Sequence, residues 1–116
     1  FVAEMINAES HIYSKKRYSA RKVKVGLKDK LKIKGRNIVI VDDMISTGRT
    51  ILETAKDLSK HKPKSISCIC VHGIFVGHIL KLFKHKKIRV ISTNTIPSSR
   101  SKIDVSKDVV EVLKSF

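Results

Sequence analysis

The fold is decided by residues 38–58, which read IVIVDDMISTGRTILETAKDL. The four β-branched residues at its start predict a strand, and their unbroken apolar character predicts one covered on both faces, as in a parallel sheet. From Ile51 to Leu58, apolar residues recur at helical spacing. The stretch therefore predicts a buried strand, a polar turn that runs from Asp42 to Arg49, and a helix.

The rest of the chain repeats this alternation. Upstream, the pattern predicts the tail of an amphipathic helix at 1–9, a strand at 11–14, and two half-buried strands around Lys28–Lys30, one with Val23, Val25 and Leu27 and one with Leu31 and Ile33. Downstream it predicts strands at 66–71, 88–91 and 103–105, a helix at 75–83, and a closing helix with Val109, Val110 and Leu113. Alternating strands and helices indicate an α/β fold with a parallel sheet.

The polar turn has the residues of a phosphate-binding loop. Thr50 and Glu53 form a capping-box pattern, which predicts that the helix begins near Thr50. Backbone N–H groups and the positive end of the helix dipole favour a phosphate at such a position. Gly48 permits close approach of the backbone, and the hydroxyls of Ser46 and Thr47 add donors. The turn is therefore a candidate phosphate site.

Two acids, Asp42 and Asp43, follow the strand at its predicted carboxyl end, where open α/β sheets bind ligands. Carboxylates beside a phosphate cradle suit sugar hydroxyls or outer-shell contact with a magnesium ion. An ordinary polar connection is the alternative. A nucleoside-triphosphate P-loop is not indicated, because the sequence lacks Gly-x-x-x-x-Gly-Lys-Ser/Thr, and a Walker-B strand without that loop is weakly supported.

Composition limits the class of protein. Lys and Arg number 25 against 10 Asp and Glu, which gives a net charge of +15 and attraction for polyanions or phosphorylated ligands. Aromatic residues make up only 5% and Trp is absent, so the pattern of aromatic residues among basic ones that suits base stacking is missing. We do not expect nucleic acid to be the partner, although charge alone leaves it open.

The remaining composition indicates a cytoplasmic protein. No apolar run reaches membrane-crossing length, so we expect no membrane partner. Cys68 and Cys70 lie too close along one predicted strand for an unstrained disulfide and lack further metal ligands, so we expect small core residues in a reducing compartment. Because the chain begins with Phe1, we expect a trimmed chain or a piece of a longer one.

Several motifs together resemble one family. Residues 39–50 are similar to the ribose-phosphate signature of type I phosphoribosyltransferases and PRPP synthetases. The segments VHGIFVG at 71–77, TNTIP at 93–97 and KIDVS at 102–106 resemble motifs of ribose-phosphate diphosphokinases (PRPP synthetases) of the archaeal type. The resemblance implies that residues 1–116 are the carboxy-terminal, phosphoribosyltransferase-like domain of such an enzyme, with a parallel sheet flanked by helices.

The resemblance also implies an activity. The family transfers the diphosphoryl group of ATP to the 1-hydroxyl of ribose 5-phosphate, with Mg²⁺, and gives PRPP and AMP. The implied ribose-5-phosphate-binding residues are Asp42, Asp43, Ser46, Thr47, Gly48, Arg49 and Thr50. Residues 15–23 are similar to the family's flexible catalytic loop, which implies catalytic roles for Lys15 (with Lys16 as the alternative) and Arg17.

Other features of the family are missing here. Most Mg²⁺ ligands, the diphosphate loop and the adenine site belong to the preceding half, so we expect this piece alone to be inactive and the complete enzyme to be a homo-oligomer. Arg49 replaces a small residue of the family, and Lys22 replaces an acid. The alternatives are a phosphoribosyltransferase, a non-catalytic regulatory relative and a basic RNA-binding module. At the predicted strand end, His72 is expected to be a hydrogen-bonded loop histidine.

Overall fold

The computed structural model describes residues 2–12, 15–18, 22–25 and 32–116, with the two short segments 15–18 and 22–25 described by their backbone. The chain divides into two compact units, residues 1–32 and residues 33–116. Among the described residues, no helix combines the length and the apolar character needed to cross a bilayer.

The first unit contains a short helix and a pair of strands. Its elements are α1 (Val2–Met5), β1 (Lys15–Tyr18) and β2 (Lys22–Val25). The two strands pair antiparallel, with Lys15 opposite Val25 and Arg17 opposite Val23. The predicted strand at Val23 and Val25 is thus confirmed. The start of the basic segment, predicted as a loop, is a strand, because its backbone pairs with β2.

Two upstream strand predictions are wrong where the structure describes them. His11 and Ile12 lie outside any strand, and so does Ile33, which is nonetheless buried. Tyr13 and Ser14, which complete the first of these predicted strands, lie outside the described residues. The same is true of the segment from Leu27 to Leu31.

The second unit is an α/β sheet. Its elements are β3 (Asn37–Ile45), α2 (Arg49–Ser59), β4 (Ser65–Gly73), α3 (Ile79–His85), β5 (Arg89–Thr93), β6 (Ser101–Ile103) and α4 (Ser106–Lys114). The strands pair in the order β3-β4-β5-β6, and every pair is parallel. Parallel neighbours require crossover connections, and α2 and α3 provide two of them. The predicted α/β class is confirmed.

The core lies on one face of this sheet. Along β4, Cys68 and Cys70 are almost fully buried, and their partners in β5 are Val90 and Ser92, which are buried too. The helices add a further set of buried side chains: Ile51, Ala55, Leu58, Ile79 and Phe83. Both cysteines are free, as predicted, and burial raises the pKa of the Cys68 thiol to about 12.

The opposite face of β3 contradicts one prediction. Val39 and Val41 are 51% and 58% exposed, although the apolar run predicts cover on both faces. In this unit β3 is the edge strand and pairs only with β4. Among the described residues, this face of the strand lacks the packing layer that buries Cys68 and Cys70.

The strand and helix boundaries near the polar turn differ from prediction. β3 continues past the two acids to Ile45, because its ladder with β4 continues through the pairs Asp42–Cys70 and Ile45–Gly73. The helix begins at Arg49, and its N-cap is Gly48 in the left-handed conformation. The helix thus begins within one residue of Thr50, as predicted, but Thr50 is the second helical residue and not the N-cap of a capping box.

The next helix also begins later than predicted. Phe75, the predicted start, has a φ of +50°, and Gly77 has a φ of +67°. Left-handed backbone at these positions excludes a right-handed helix, so α3 begins only at Ile79. The segment 74–76 instead forms backbone hydrogen bonds with the end of β3.

Gly48 joins the strand, the helix and the core, and its substitution is a sensitive test of the fold. Its φ is +68°, and a Cβ at this position would overlap Ile79 and lie 2.9 Å from Phe83 Cζ. We expect Gly48→Ala to lower the free energy of unfolding by about 2–4 kcal/mol, the sum of left-handed strain and overpacking.

Gly35→Ala is the matched control. Gly35 has a similar φ of +73°, but nothing lies within 4 Å of the added Cβ. In this variant the free energy of unfolding should fall only by the strain of the left-handed backbone, about 1 kcal/mol. Urea unfolding of both variants measures the difference, and equal losses would show that the contact of Gly48 with α3 is not tight.

Candidate functional site

The polar turn connects β3 to α2 at the carboxyl edge of the sheet. Ser46 is half-buried, Thr47 is exposed and Gly48 is buried. Arg49 and Thr50 are the first two residues of α2, a helix of 11 residues, and both are exposed. The structure therefore brings all five predicted loop residues together at a helix N-terminus, where N–H groups and the helix dipole favour an anion.

A second segment, residues 74–76, holds this loop in place. The carbonyl oxygen of Ile45 accepts hydrogen bonds from the N–H groups of Ile74 (3.0 Å) and Phe75 (3.1 Å). The carbonyl oxygen of Ser46 accepts one from the N–H of Val76 (3.0 Å). Sequence reasoning missed this positioning role. The available signal was the VHGIFVG motif, in which Gly77 has a left-handed backbone.

The two acids lie side by side in β3, upstream of its last residue rather than in the turn. Asp42 is half-buried and Asp43 is exposed, and the N–H of Asp43 donates to Asp42 Oδ1 at 2.9 Å. Burial raises the pKa of Asp42, and the neighbouring carboxyl of Asp43 raises it further through a hydrogen bond and through charge repulsion. A ligand that donates hydrogen bonds or carries positive charge would therefore stabilise the ionised form of Asp42.

The acid pair offers only part of a magnesium site. Among the described residues, no group of three or more potential metal ligands occurs. Mg²⁺ binds oxygen ligands with near-octahedral geometry and commonly keeps several waters. Asp42 and Asp43 therefore fit an outer-shell contact or a shared ion, while a complete coordination shell needs ligands from elsewhere.

His72 is part of a hydrogen-bonded network at the same edge of the sheet. It lies within β4, opposite Met44, and its Nδ1 is 2.9 Å from the hydroxyl of Thr95. The hydroxyls of Thr93 and Thr95 both donate to the carbonyl oxygen of Val71. The expected hydrogen bond of His72 is confirmed, but the residue is in a strand and not in a loop. Sequence reasoning gave the two threonines no role beyond the TNTIP motif.

The two predicted catalytic residues lie in the other unit of the chain. Lys15 and Arg17 are two positions apart in β1, and Lys16 stands between them. The structure thus gives these residues a defined strand backbone. Their catalytic roles stay a prediction.

Comparison with known proteins identifies the family. Residues 3–110 match the model of the phosphoribosyl transferase domain. The chain is 37% identical over 114 residues to a ribose-phosphate pyrophosphokinase of Methanothermobacter thermautotrophicus. The aligned region covers 97% of this chain and 40% of that protein. It is 34% identical to ribose-phosphate pyrophosphokinase 2 of Archaeoglobus fulgidus, over 94% of this chain and 40% of that protein.

The fold agrees with a solved structure. The crystal structure of phosphoribosylpyrophosphate synthetase from Mycobacterium smegmatis aligns with a TM-score of 0.68 at 22% identity, over 84% of this chain and 34% of that one. The chain spans about two fifths of the length of the curated relatives it matches. The resemblance to ribose-phosphate pyrophosphokinases is confirmed, and the chain belongs to the phosphoribosyl transferase domain family.

Proposed function

We propose that the chain is the carboxy-terminal domain of a ribose-phosphate pyrophosphokinase. The complete enzyme would transfer the diphosphoryl group of ATP to the 1-hydroxyl of ribose 5-phosphate and release AMP. The observation that carries the proposal is the loop at residues 46–50, which is held at the start of α2, with two residues of β3 between it and the acid pair. The family match over residues 3–110 supports it.

In this proposal the loop binds the 5-phosphate of the sugar. The N–H groups at the start of α2 and the hydroxyls of Ser46 and Thr47 would donate hydrogen bonds to the phosphate oxygens. Arg49, exposed at the first helical position, adds a guanidinium that can bind two phosphate oxygens. The carboxyls of Asp42 and Asp43 accept hydrogen bonds from the sugar hydroxyls, which places the ribose over the end of β3.

The catalytic step is assigned to Lys15 and Arg17 of β1. Negative charge grows on phosphoryl oxygens during the transfer, and positioned cations stabilise it in the transition state. Mg²⁺, when bound, neutralises charge on the diphosphoryl group. We further propose a cytoplasmic homo-oligomer that binds ATP and ribose 5-phosphate, with most Mg²⁺ ligands outside this chain.

The alternatives have less support. A phosphoribosyltransferase would need a base-binding hood and its own diphosphate loop, and the sequence shows neither. A non-catalytic relative is expected to lose the acids or the Lys-x-Arg, and both are present. The curated relatives above are pyrophosphokinases over nearly the full length of this chain.

Asp42 should cost stability in return for ligand binding. Since its pKa is raised in the folded protein, ionisation of Asp42 destabilises the fold as the pH rises through that pKa. We expect Asp42→Asn to be more stable than the parent at pH 7. This gain should vanish near pH 3, where the parent carboxyl is protonated in both the folded and the unfolded states.

Urea unfolding at the two pH values checks this expectation. Glu111→Gln is the control, because it removes one acid from the exposed face of α4. It should not show the same gain. An Asp42→Asn variant that is less stable than the parent at pH 7 would contradict the proposed electrostatic cost.

Steady-state kinetics of the complete enzyme separates the two sites. We expect Lys15→Ala and Arg17→Ala to lower kcat strongly with little change in KM, because the lost contacts form mainly in the transition state. Asp43→Ala should raise the KM for ribose 5-phosphate about 10- to 100-fold, because its partners are hydroxyls already present in the ground state.

Lys64→Ala is the control, since it removes an exposed lysine that lies just before β4. Its kinetic constants should match those of the parent. If Lys15→Ala and Arg17→Ala both leave kcat unchanged, β1 is a solvated basic strand and the catalytic assignment is wrong. An unchanged KM for ribose 5-phosphate in Asp43→Ala would show that Asp43 does not bind the sugar.

A further inference from the structure

A second cationic site lies at the opposite edge of the sheet. A cavity of about 430 Å³ opens beside the carboxyl end of α3 and the start of β5. Arg89, on its wall, is the first residue of β5, and Arg100 immediately precedes β6. Because β5 and β6 are parallel to β3, these residues lie at the amino edge of the sheet, away from the loop at the end of β3.

Four cations and an apolar floor line this cavity. The cations are Lys84, Lys87, Arg89 and Arg100, and the apolar wall includes Leu80 and Ile88. The volume is within the range of small-molecule sites, about 300–1,000 Å³. Of the described residues that line it, none is acidic.

These cations have no anionic partner within the described part of the chain. The salt bridge between Lys60 and Asp57 lies outside the cavity. Arg100 Nε is buried without a hydrogen-bond partner. The dipole at the end of α3 accounts for Lys84 and Lys87, because cations are favourable at a helix C-terminus. It does not account for Arg89 and Arg100. Four cations that line one cavity with no acidic side chain among its lining residues favour a bound anion.

We propose that this cavity binds a small phosphorylated ligand that carries an apolar group. The phosphate would contact Arg89 and Arg100, whose planar guanidinium groups suit phosphate oxygens, and the apolar group would lie against the half-buried Leu80. A nucleic-acid strand fits less well, because the cations converge on one cavity and Phe83, the aromatic residue lining it, is buried. The inference is independent of the function proposed for the loop.

Titration with phenyl phosphate, followed by amide NMR, tests the site. The probe should shift the amides of residues 87–90 and 99–101 and bind about tenfold more tightly than inorganic phosphate, because its ring adds apolar contact. Arg89→Gln and Arg100→Gln should each weaken binding about tenfold through loss of a charge-assisted hydrogen bond. Ribose 5-phosphate should shift residues 46–50 instead.

Lys64→Gln provides the control, because it removes the same charge from an exposed position outside the cavity. Its affinity for phenyl phosphate should equal that of the parent. Equal weakening in Lys64→Gln and Arg100→Gln would show general charge attraction and overturn the site. A single-stranded oligonucleotide that displaces phenyl phosphate and binds more tightly would replace the proposal with nucleic-acid binding.

Discussion

The carbonyl groups of Ile45 and Ser46 accept three hydrogen bonds from the backbone of residues 74–76, and the position of the loop at residues 46–50 depends on them. Without these bonds, the three residues between β3 and α2 would be free to adopt many conformations. With them, Gly48 is placed against Ile79 and Phe83, and α2 begins at a fixed point. Two adjacent parallel strands thus support one candidate anion site through their following loops, at the carboxyl edge where α/β sheets bind ligands.

Much of this arrangement could be predicted from the sequence because it depends on local patterns. The β-branched run at 38–41 and the apolar spacing of α2 predicted the elements, and the motif at residues 39–50 predicted the loop. The predicted helix start near Thr50 is confirmed, since α2 begins at Arg49, but the N-cap is Gly48 in the left-handed conformation and not Thr50. The sequence alone cannot show whether Gly48 or Thr50 is the N-cap, because the contact of Gly48 with α3 is a tertiary contact.

Other errors come from interactions that are distant in sequence. The start of α3 depends on hydrogen bonds between residues 74–76 and the end of β3, about 30 residues earlier, which a helical pattern at 75–83 cannot reveal. The exposure of Val39 and Val41 depends on the lack of a packing layer over that face of the sheet within the described residues, since Val71 of the inner strand β4 is 42% exposed on the same face. The network around His72 likewise joins β4 to Thr95, 23 residues further on.

The charged groups of the second unit are arranged differently at the two edges of its sheet, which composition alone does not show. The net charge of +15 suggests general affinity for polyanions. In the second unit, however, the loop at the carboxyl edge combines helix N–H groups with two acids, whereas the cavity at the amino edge combines four cations with apolar side chains. The first arrangement suits a phosphorylated sugar, whose hydroxyls the acids can bind. The second has no acidic side chain among its lining residues.

Titration of the protein with ribose 5-phosphate, followed by amide NMR, tests the central claim most directly. If the loop is the sugar-phosphate site, the amides of Ser46 to Thr50 should shift first and saturate, with smaller shifts at Asp42 and Asp43. Ribose without phosphate should leave the loop amides unchanged. Equal shifts spread over the surface lysines, with no preference for residues 46–50, would contradict the account.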